Sequence, residues 1–163
     1  EVTPFVQILS TGFDSVVNAR ANGFKRVRGT IKYVVAVLLE VWRFKPVEFQ
    51  LRTDSLNISQ RAMLICVANG QSYGAGMKIV PHANNQDGLL DILVLDAVNP
   101  LRLLLVFPRV FFGKHVTHPK VHFYQARSVD ISGNTQAFAD GEYISDLPIR
   151  ITCSEKKLKV ICP

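Results

Sequence analysis

Residues 62–68 (Ala-Met-Leu-Ile-Cys-Val-Ala) form an unbroken apolar run closed by Asn69-Gly70. A second run, Leu89 to Leu95, is interrupted only by Asp91. Apolar runs of strand length without alternation read as strands covered on both faces. A chain built around such strands must place a layer of structure on each side of them. Ala62 to Ala68 therefore reads as a central strand and Leu89 to Leu95 as strand-like.

One layer is more strand. Val47, Phe49 and Leu51 alternate with Glu48, Gln50 and Arg52, a half-buried pattern, and Thr53 to Asn57 follows as a hairpin loop. Val121–Gln125, Val129–Ser132, Gln136–Ala139, Ile149–Thr152 and Leu158–Ile161 are short apolar segments about ten residues apart with turn signals between them, as in a sandwich or barrel. Glu1 to Leu9 and Met77 to Val80 also read as extended, the latter stopping at Pro81. The other layer is helical. Phe13, Val16, Val17 and Phe24 recur at helical spacing. Thr30 is a candidate N-cap for a helix whose apolar stripe is Ile31, Val34, Val35, Leu38, Leu39 and Trp42, ended by Pro46. Asn99-Pro100 is an N-cap and first-turn pair for a third helix, and Pro108 predicts a kink or break in it. The sum is roughly nine strands and three helices in 163 residues, with no linker or repeat. This is a single mainly β (α+β) domain, residues 1–163, with helices packed on a β-sandwich.

Composition narrows the classes. With 48% hydrophobic residues the chain can build a core. Its longest apolar stretch, Ile31 to Trp42, is broken by Lys32 and Glu40 and is too short to span a bilayer. The start at Glu1 has no signal-peptide pattern and suggests a cut from a longer protein. Cys66, Cys153 and Cys162 are odd in number, without CxxC or zinc spacing, and read as free thiols of a cytoplasmic protein. The net charge of +6 favours anionic partners. Lys25, Arg26 and Arg28 cluster between two helices. Arg102 and Arg109 share a helical face, with Lys114 just beyond. They are either a solvated surface or contacts for phosphates and lipid headgroups.

Two short segments could carry chemistry. His82-Ala83-Asn84-Asn85-Gln86-Asp87-Gly88-Leu89 is a polar loop able to turn oxygens onto a hard cation, or a simple turn before a strand. Asp140-Gly141-Glu142 is either a hairpin turn or a rigid mount for a general base. His82, His115, His118 and His122 lack metal spacing and read as solvated or capping residues. No GxxxxGK[ST] loop, no GxGxxG after a strand and no GxSxG elbow occurs.

In order along the chain stand Thr11-Gly12-Phe13-Asp14, Asn69-Gly70, Tyr73-Gly74-Ala75-Gly76, Pro81-His82-Ala83, Asp87-Gly88-Leu89-Leu90-Asp91, Gly113-Lys114-His115 and Asp140-Gly141-Glu142. Over nearly the whole chain this series resembles the C-terminal domain of the diacylglycerol kinase and bacterial lipid kinase family, which includes sphingosine and ceramide kinases. The resemblance implies an NAD kinase-like β-sandwich and an ATP-dependent kinase of a lipid hydroxyl, with diacylglycerol first. It implies that an N-terminal domain with a Gly-Gly-Asp-Gly-Thr loop, absent here, binds ATP, so that the 163-residue chain alone is inactive. Glu142 matches the family's proposed general base, with Asp140 and Gly141 shaping its turn. Asn84, Asp87 and Leu89 match a structural Mg²⁺ site, whereas Asp91 falls at a less constrained position. The implied partners are ATP and a lipid at the membrane surface, without nucleic acid, and free strand edges allow a homodimer. The alternatives are a non-catalytic lipid- or protein-binding module and an NAD kinase-like enzyme.

Overall fold

A computed structural model describes residues 2–24, 30–74 and 76–154. The chain begins with β1 (Ile8–Gly12), passes directly into α1 (Phe13–Asn22), and continues through α2 (Thr30–Glu40). It then forms β2 (Val47–Arg52), β3 (Asn57–Ala68), β4 (Leu90–Asp96) and α3 (Pro100–Val110). It finishes with β5 (Val121–Ala126), β6 (Ser128–Ser132), β7 (Gln136–Ala139), β8 (Glu142–Asp146) and β9 (Ile149–Thr152). The strands make one sheet in the order β8-β7-β1-β3-β2-β6-β9, with β4 pairing β3 and β5. Every strand pair is antiparallel. The sheet is nearly closed and sandwich-like, the mainly β architecture with three helices that the sequence predicts.

The long strand β3 organises both sides. Its first half pairs with β2 and its second half with β1 and β4. Ala62, Ile65 and Val67 face a core shared with Leu9, Phe49 and Ile131. Met63, Leu64, Cys66 and Ala68 face a second core under the helices, with Phe13, Val37 and Leu103. The adjacent residues Met63 and Leu64 point the same way because the pairing with β4 slips between Ala62 and Leu64, as a bulge requires. The continuous apolar run is therefore what a strand needs when each face meets a different core.

The step from β1 into α1 depends on Gly12. Its φ is +78°, a conformation that side-chain-bearing residues rarely adopt. A Cβ there would lie 2.5 Å from the Met63 carbonyl oxygen and 3.1 Å from Leu64 Cα. The helix can thus leave the strand while lying flat against β3. At α3, the Asn99 side chain accepts the Arg102 N–H at 2.8 Å, with Pro100 in the first turn, the cap expected from the sequence.

Several elements differ from expectation. β1 starts at Ile8 rather than at the chain's beginning, and 77–80 is a turn whose one bridge joins Tyr73 to Met77. β8 was not expected; it is short, and its side chains are exposed or half-buried. α3 runs through Pro108, which faces solvent in the last turns, instead of breaking there. Thr30 is the first helical residue of α2. The apolar stripe of α2 points largely outward: Ile31, Val34, Leu38, Leu39 and Trp42 are exposed, while Ala36, Val37, Glu40 and Val41 face in. Glu40 makes a partly buried ion pair with Arg20 of α1 on the inward side. The expected strand 158–161, Cys162 and the cluster Lys25, Arg26 and Arg28 lie outside the described residues. Cys66 and Cys153 are free thiols.

Gly12→Ala should lower the stability by at least ~2 kcal/mol, since strain and a backbone clash combine. Urea unfolding checks this, and a change under 0.5 kcal/mol would mean that the β1–α1 junction relaxes freely.

Candidate active site

The sequence-distant motifs converge on one end of the sheet. Ile8 of β1 pairs with Ala68 of β3, which pairs with Asp91 of β4. Leu9 pairs with Ala139 of β7, and Ala139 with Glu142 of β8. The Asn69-Gly70 turn, the loop before β4 and the Asp140-Gly141 turn therefore share an edge. Three strand spacings, roughly 14 Å, separate β7 from β4.

Asp140 and Gly141 form the two-residue loop between β7 and β8, with φ of +50° and +91°. Two positive φ values are what a type I′ hairpin requires. The hairpin reading is correct, and the turn is also built into its surroundings. The Asp140 carboxylate accepts the backbone N–H groups of Val6 (2.7 Å), Gln7 (3.0 Å) and Ile8 (3.1 Å). The Asp140 N–H donates to the Ile8 carbonyl at 3.0 Å. Asn22 at the end of α1 donates to the Gly141 carbonyl at 2.9 Å. Glu142, the next residue, is exposed at the start of β8. The turn is thus held on both flanks while the carboxylate it presents reaches solvent.

Beside this turn lies a cavity of about 260 Å³ between the helices and the sheet. Its walls are mostly apolar: Phe13 and Val17 of α1, Val37 of α2, Leu93 of β4, and Leu103 and Phe107 of α3. Asp140 and Gly141 line it as well. A polar cluster sits at the α1 side. Asp14 accepts hydrogen bonds from Tyr73 (2.7 Å), Asn18 (2.9 Å) and Ser10. Burial pushes the Asp14 carboxyl above its ordinary value, while the bonds from Ser10, Tyr73 and Asn18 pull it down. Burial, and then the Asp14 charge, push the Tyr73 phenol well up. Asp14 stood in the sequence as part of Thr11-Gly12-Phe13-Asp14 without a role, and the structure makes it part of the cavity wall. The signal available was an acid at the second position of a helix that follows a glycine.

The loop before β4 collects Asn84, Asp87 and Leu89. Asn84 Oδ1 accepts the Gln86 N–H at 3.1 Å, and Asp87 Oδ1 accepts the Leu89 N–H at 2.9 Å. Asn84 and Asp87 are exposed and Leu89 is half-buried. Among the described residues no group of three His, Cys, Asp or Glu side chains converges. A cation here would rest on one carboxylate plus amide and peptide oxygens. That all-oxygen set fits Mg²⁺, which retains much of its water. Asp91 adds a feature unexpected from the sequence. It is 1% exposed; one oxygen accepts from Gln125 at 3.0 Å, and Oδ2 is buried with no partner. The histidines differ from expectation at one position: His115 is buried in the cavity wall.

The site is thus an apolar cavity between a nearly closed antiparallel sheet and its helical layer. The chain belongs to the family of the YegS C-terminal NAD kinase beta sandwich-like domain, whose model matches residues 7–162. It is 35% identical over 161 residues to a diacylglycerol kinase of Mycobacterium tuberculosis (strain ATCC 25618 / H37Rv), covering 98% of this chain and 52% of that protein. It is 26% identical over 141 residues to a diacylglycerol kinase of Staphylococcus saprophyticus, covering 85% and 46%. Among solved structures, a diacylglycerol kinase from Bacillus anthracis str. Sterne superposes with a TM-score of 0.62 at 21% identity, covering 91% of this chain and 48% of that one. The chain spans about half the length of the relatives it matches.

A carboxyl whose pKa rises on folding holds its proton more tightly in the folded chain. Its contribution to stability therefore falls as pH climbs from the ordinary value of 3.8 through the raised one. Asp14→Asn removes that dependence. Between about pH 4 and 7, stability relative to wild type should move in the variant's favour, read from urea midpoints. Movement in the opposite direction would contradict a carboxyl whose burial outweighs its three hydrogen bonds.

Proposed function

We propose that this chain is the acceptor-binding half of an ATP-dependent lipid kinase and that its acceptor is diacylglycerol. The observation that carries the reading is the apolar cavity whose wall includes the turn that presents Glu142. A lipid acyl chain suits the cavity's walls, and a glycerol hydroxyl outside it would come to the turn. Glu142 takes the proton from that hydroxyl as the oxygen attacks the γ-phosphorus of ATP. Asp140 and Gly141 are positioning residues: they hold the strand start from which Glu142 projects. Phosphoryl transfer needs positioning and charge neutralisation more than covalent chemistry, so a single fixed carboxylate is an adequate contribution from this side. ATP is held mainly by a separate N-terminal domain.

Asn84, Asp87 and the Leu89 carbonyl would hold Mg²⁺, which when bound neutralises the carboxylate and stiffens the loop ahead of β4. The kinase works as a cytoplasmic protein at the membrane surface. No helix among the described residues is long and apolar enough to cross a bilayer. The outward faces of α2 and α3 instead expose Ile31, Leu38, Trp42, Leu101 and Leu105. Arg43, Lys45, Arg102 and Arg109 are exposed on or next to these helices, a combination suited to an anionic interface.

In the full-length protein, Glu142→Gln should reduce phosphate transfer from labelled ATP to diacylglycerol vesicles by about 10²–10⁴-fold, the usual contribution of a general base. ATP affinity and unfolding midpoint should stay at wild-type values. Wild-type turnover in the variant would remove Glu142 as the base; vesicle binding by an unmutated protein that transfers no phosphate would leave a non-catalytic lipid module.

A further inference from the structure

The cavity carries charge of one sign. Asp14 and Asp140 line it, and no described Lys or Arg does, although the chain as a whole is +6. Arg20 of α1 is engaged with Glu40. Lys78, between the lining residues Met77 and Ile79, is exposed and outside the wall. His115 lines the cavity too, but burial pushes its imidazole pKa down, against a smaller opposing effect of the Ile79 carbonyl. The ring is therefore neutral at pH 7 and supplies no positive charge.

The two carboxylates are not equivalent. Asp140 is occupied by the backbone N–H groups of Val6, Gln7 and Ile8 and holds the β7–β8 turn. Asp14 is half-buried, with Tyr73 on Oδ1 and with Ser10 and Asn18 on Oδ2. Three donors converging on its two oxygens favour the ionised form. All three are neutral groups, so no counter-ion cancels the charge. Around it the wall is Phe13, Val17, Leu93 and Leu103, an environment in which a charge acts more strongly than it does in water. A neutral glycerolipid meets no repulsion there. A phosphate monoester carries about −1.5 to −2 at pH 7. Its phosphate would stand at the turn beside Glu142, at the edge of the same cavity, and would face this carboxylate with no cation of the wall between them.

We propose that the Asp14 carboxylate makes the cavity select a neutral lipid over its phosphorylated counterpart, so that Asp14 is a specificity-determining residue that favours entry of acceptor and departure of product. This rests on the cavity being the acceptor-lipid site. It asks nothing of the acceptor hydroxyl, which stays with Glu142.

The test is competition on the full-length protein without ATP. Tritiated 1,2-dioctanoylglycerol is bound and then displaced by unlabelled 1,2-dioctanoylglycerol or by 1,2-dioctanoylglycerol 3-phosphate, each below its micelle-forming concentration, with equilibrium dialysis as the readout. Displacement reports the occupied acceptor site, so phosphate ester held on the basic surface does not count. Wild type should need at least about tenfold more of the phosphate than of the neutral lipid. Asp14→Asn, which keeps the shape and removes the charge, should lower that ratio about fivefold through tighter binding of the phosphate. Tyr73→Phe removes a hydrogen bond but leaves the carboxylate and should keep the wild-type ratio. Equal displacement by the two lipids in wild type overturns the proposal, and so does an Asp14→Asn ratio equal to that of wild type. Loss of the preference in Tyr73→Phe also overturns it, because hydrogen-bond geometry rather than charge would then be the cause. If the preference follows Asp14 while the full-length protein with ATP phosphorylates no lipid, the kinase reading fails and the charge assignment stands.

Discussion

Burial of β3 and β4 on both faces is the constraint from which the other features follow. From Ala62 to Ala68 in β3 and from Ile92 to Leu95 in β4 there is no polar face to show to water: Leu64, Cys66, Leu93 and Leu95 look one way, and Ile65, Val67, Ile92 and Val94 the other, whereas Asn57 to Arg61 at the start of β3 are exposed or half-buried. One side is closed by the sheet curling on itself through β2, β6 and β9. The other is closed by three helices, which meet the sheet through residues as small as Ala21 and Ala36. Helices on a twisted sheet leave space where their ridges do not meet it. Here that space is an apolar cavity opening along the strand end where the polar motifs gather. The core and the candidate lipid site are thus two results of one packing arrangement.

The polar end is held by a different interaction. Asp140 gathers three consecutive backbone N–H groups from the segment entering β1. Hydrogen bonds to a carboxylate are shorter and stronger than neutral ones. The three join the β7–β8 turn to the first strand, and Asn22 joins it to the first helix. Asn69 completes the frame from β3: its side chain donates to the Val6 carbonyl at 3.0 Å and its N–H to that of Gln7 at 2.9 Å. Residues far apart in the chain therefore fix the start of β8, and Glu142 needs no partner of its own to be aimed. The proposed role of Glu142 as general base calls for such exposure, since the carboxylate would meet substrate and nucleotide at the surface of this domain.

Local signals in the sequence were legible where local physics decides. The run 62–68, the Asn99-Pro100 cap and the Asp140-Gly141 hairpin each depend on a few neighbouring residues, and each occurs as read. The ordered motifs identified the family because several weak motifs in the right order are specific together. The orientation of α2 was not legible. Val34, Val35, Val37, Leu38 and Leu39 are apolar around most of the helix, so periodicity could not choose a face; Glu40, paired with Arg20, lies on the inward one. The clamp on Asp140 and the burial of His115 were hidden for a related reason: their partners, Val6 to Ile8 and Ile79, are fixed by tertiary contact. Asp91 was set aside because it falls at a less constrained position of the resemblance, and an acid between apolar residues carries no sign of its depth.

The central claim is that the cavity under the helices receives the lipid chain. Photolabelling of the full-length protein with diacylglycerol carrying a diazirine at the end of one acyl chain tests it directly, with the adducts mapped by mass spectrometry. Adducts on Val37, Leu93, Leu103 and Phe107, which line the cavity, are the predicted result. Adducts confined to Ile31, Leu38, Trp42 and Leu105 on the outer helix faces would contradict the account, since the lipid would then only touch the surface.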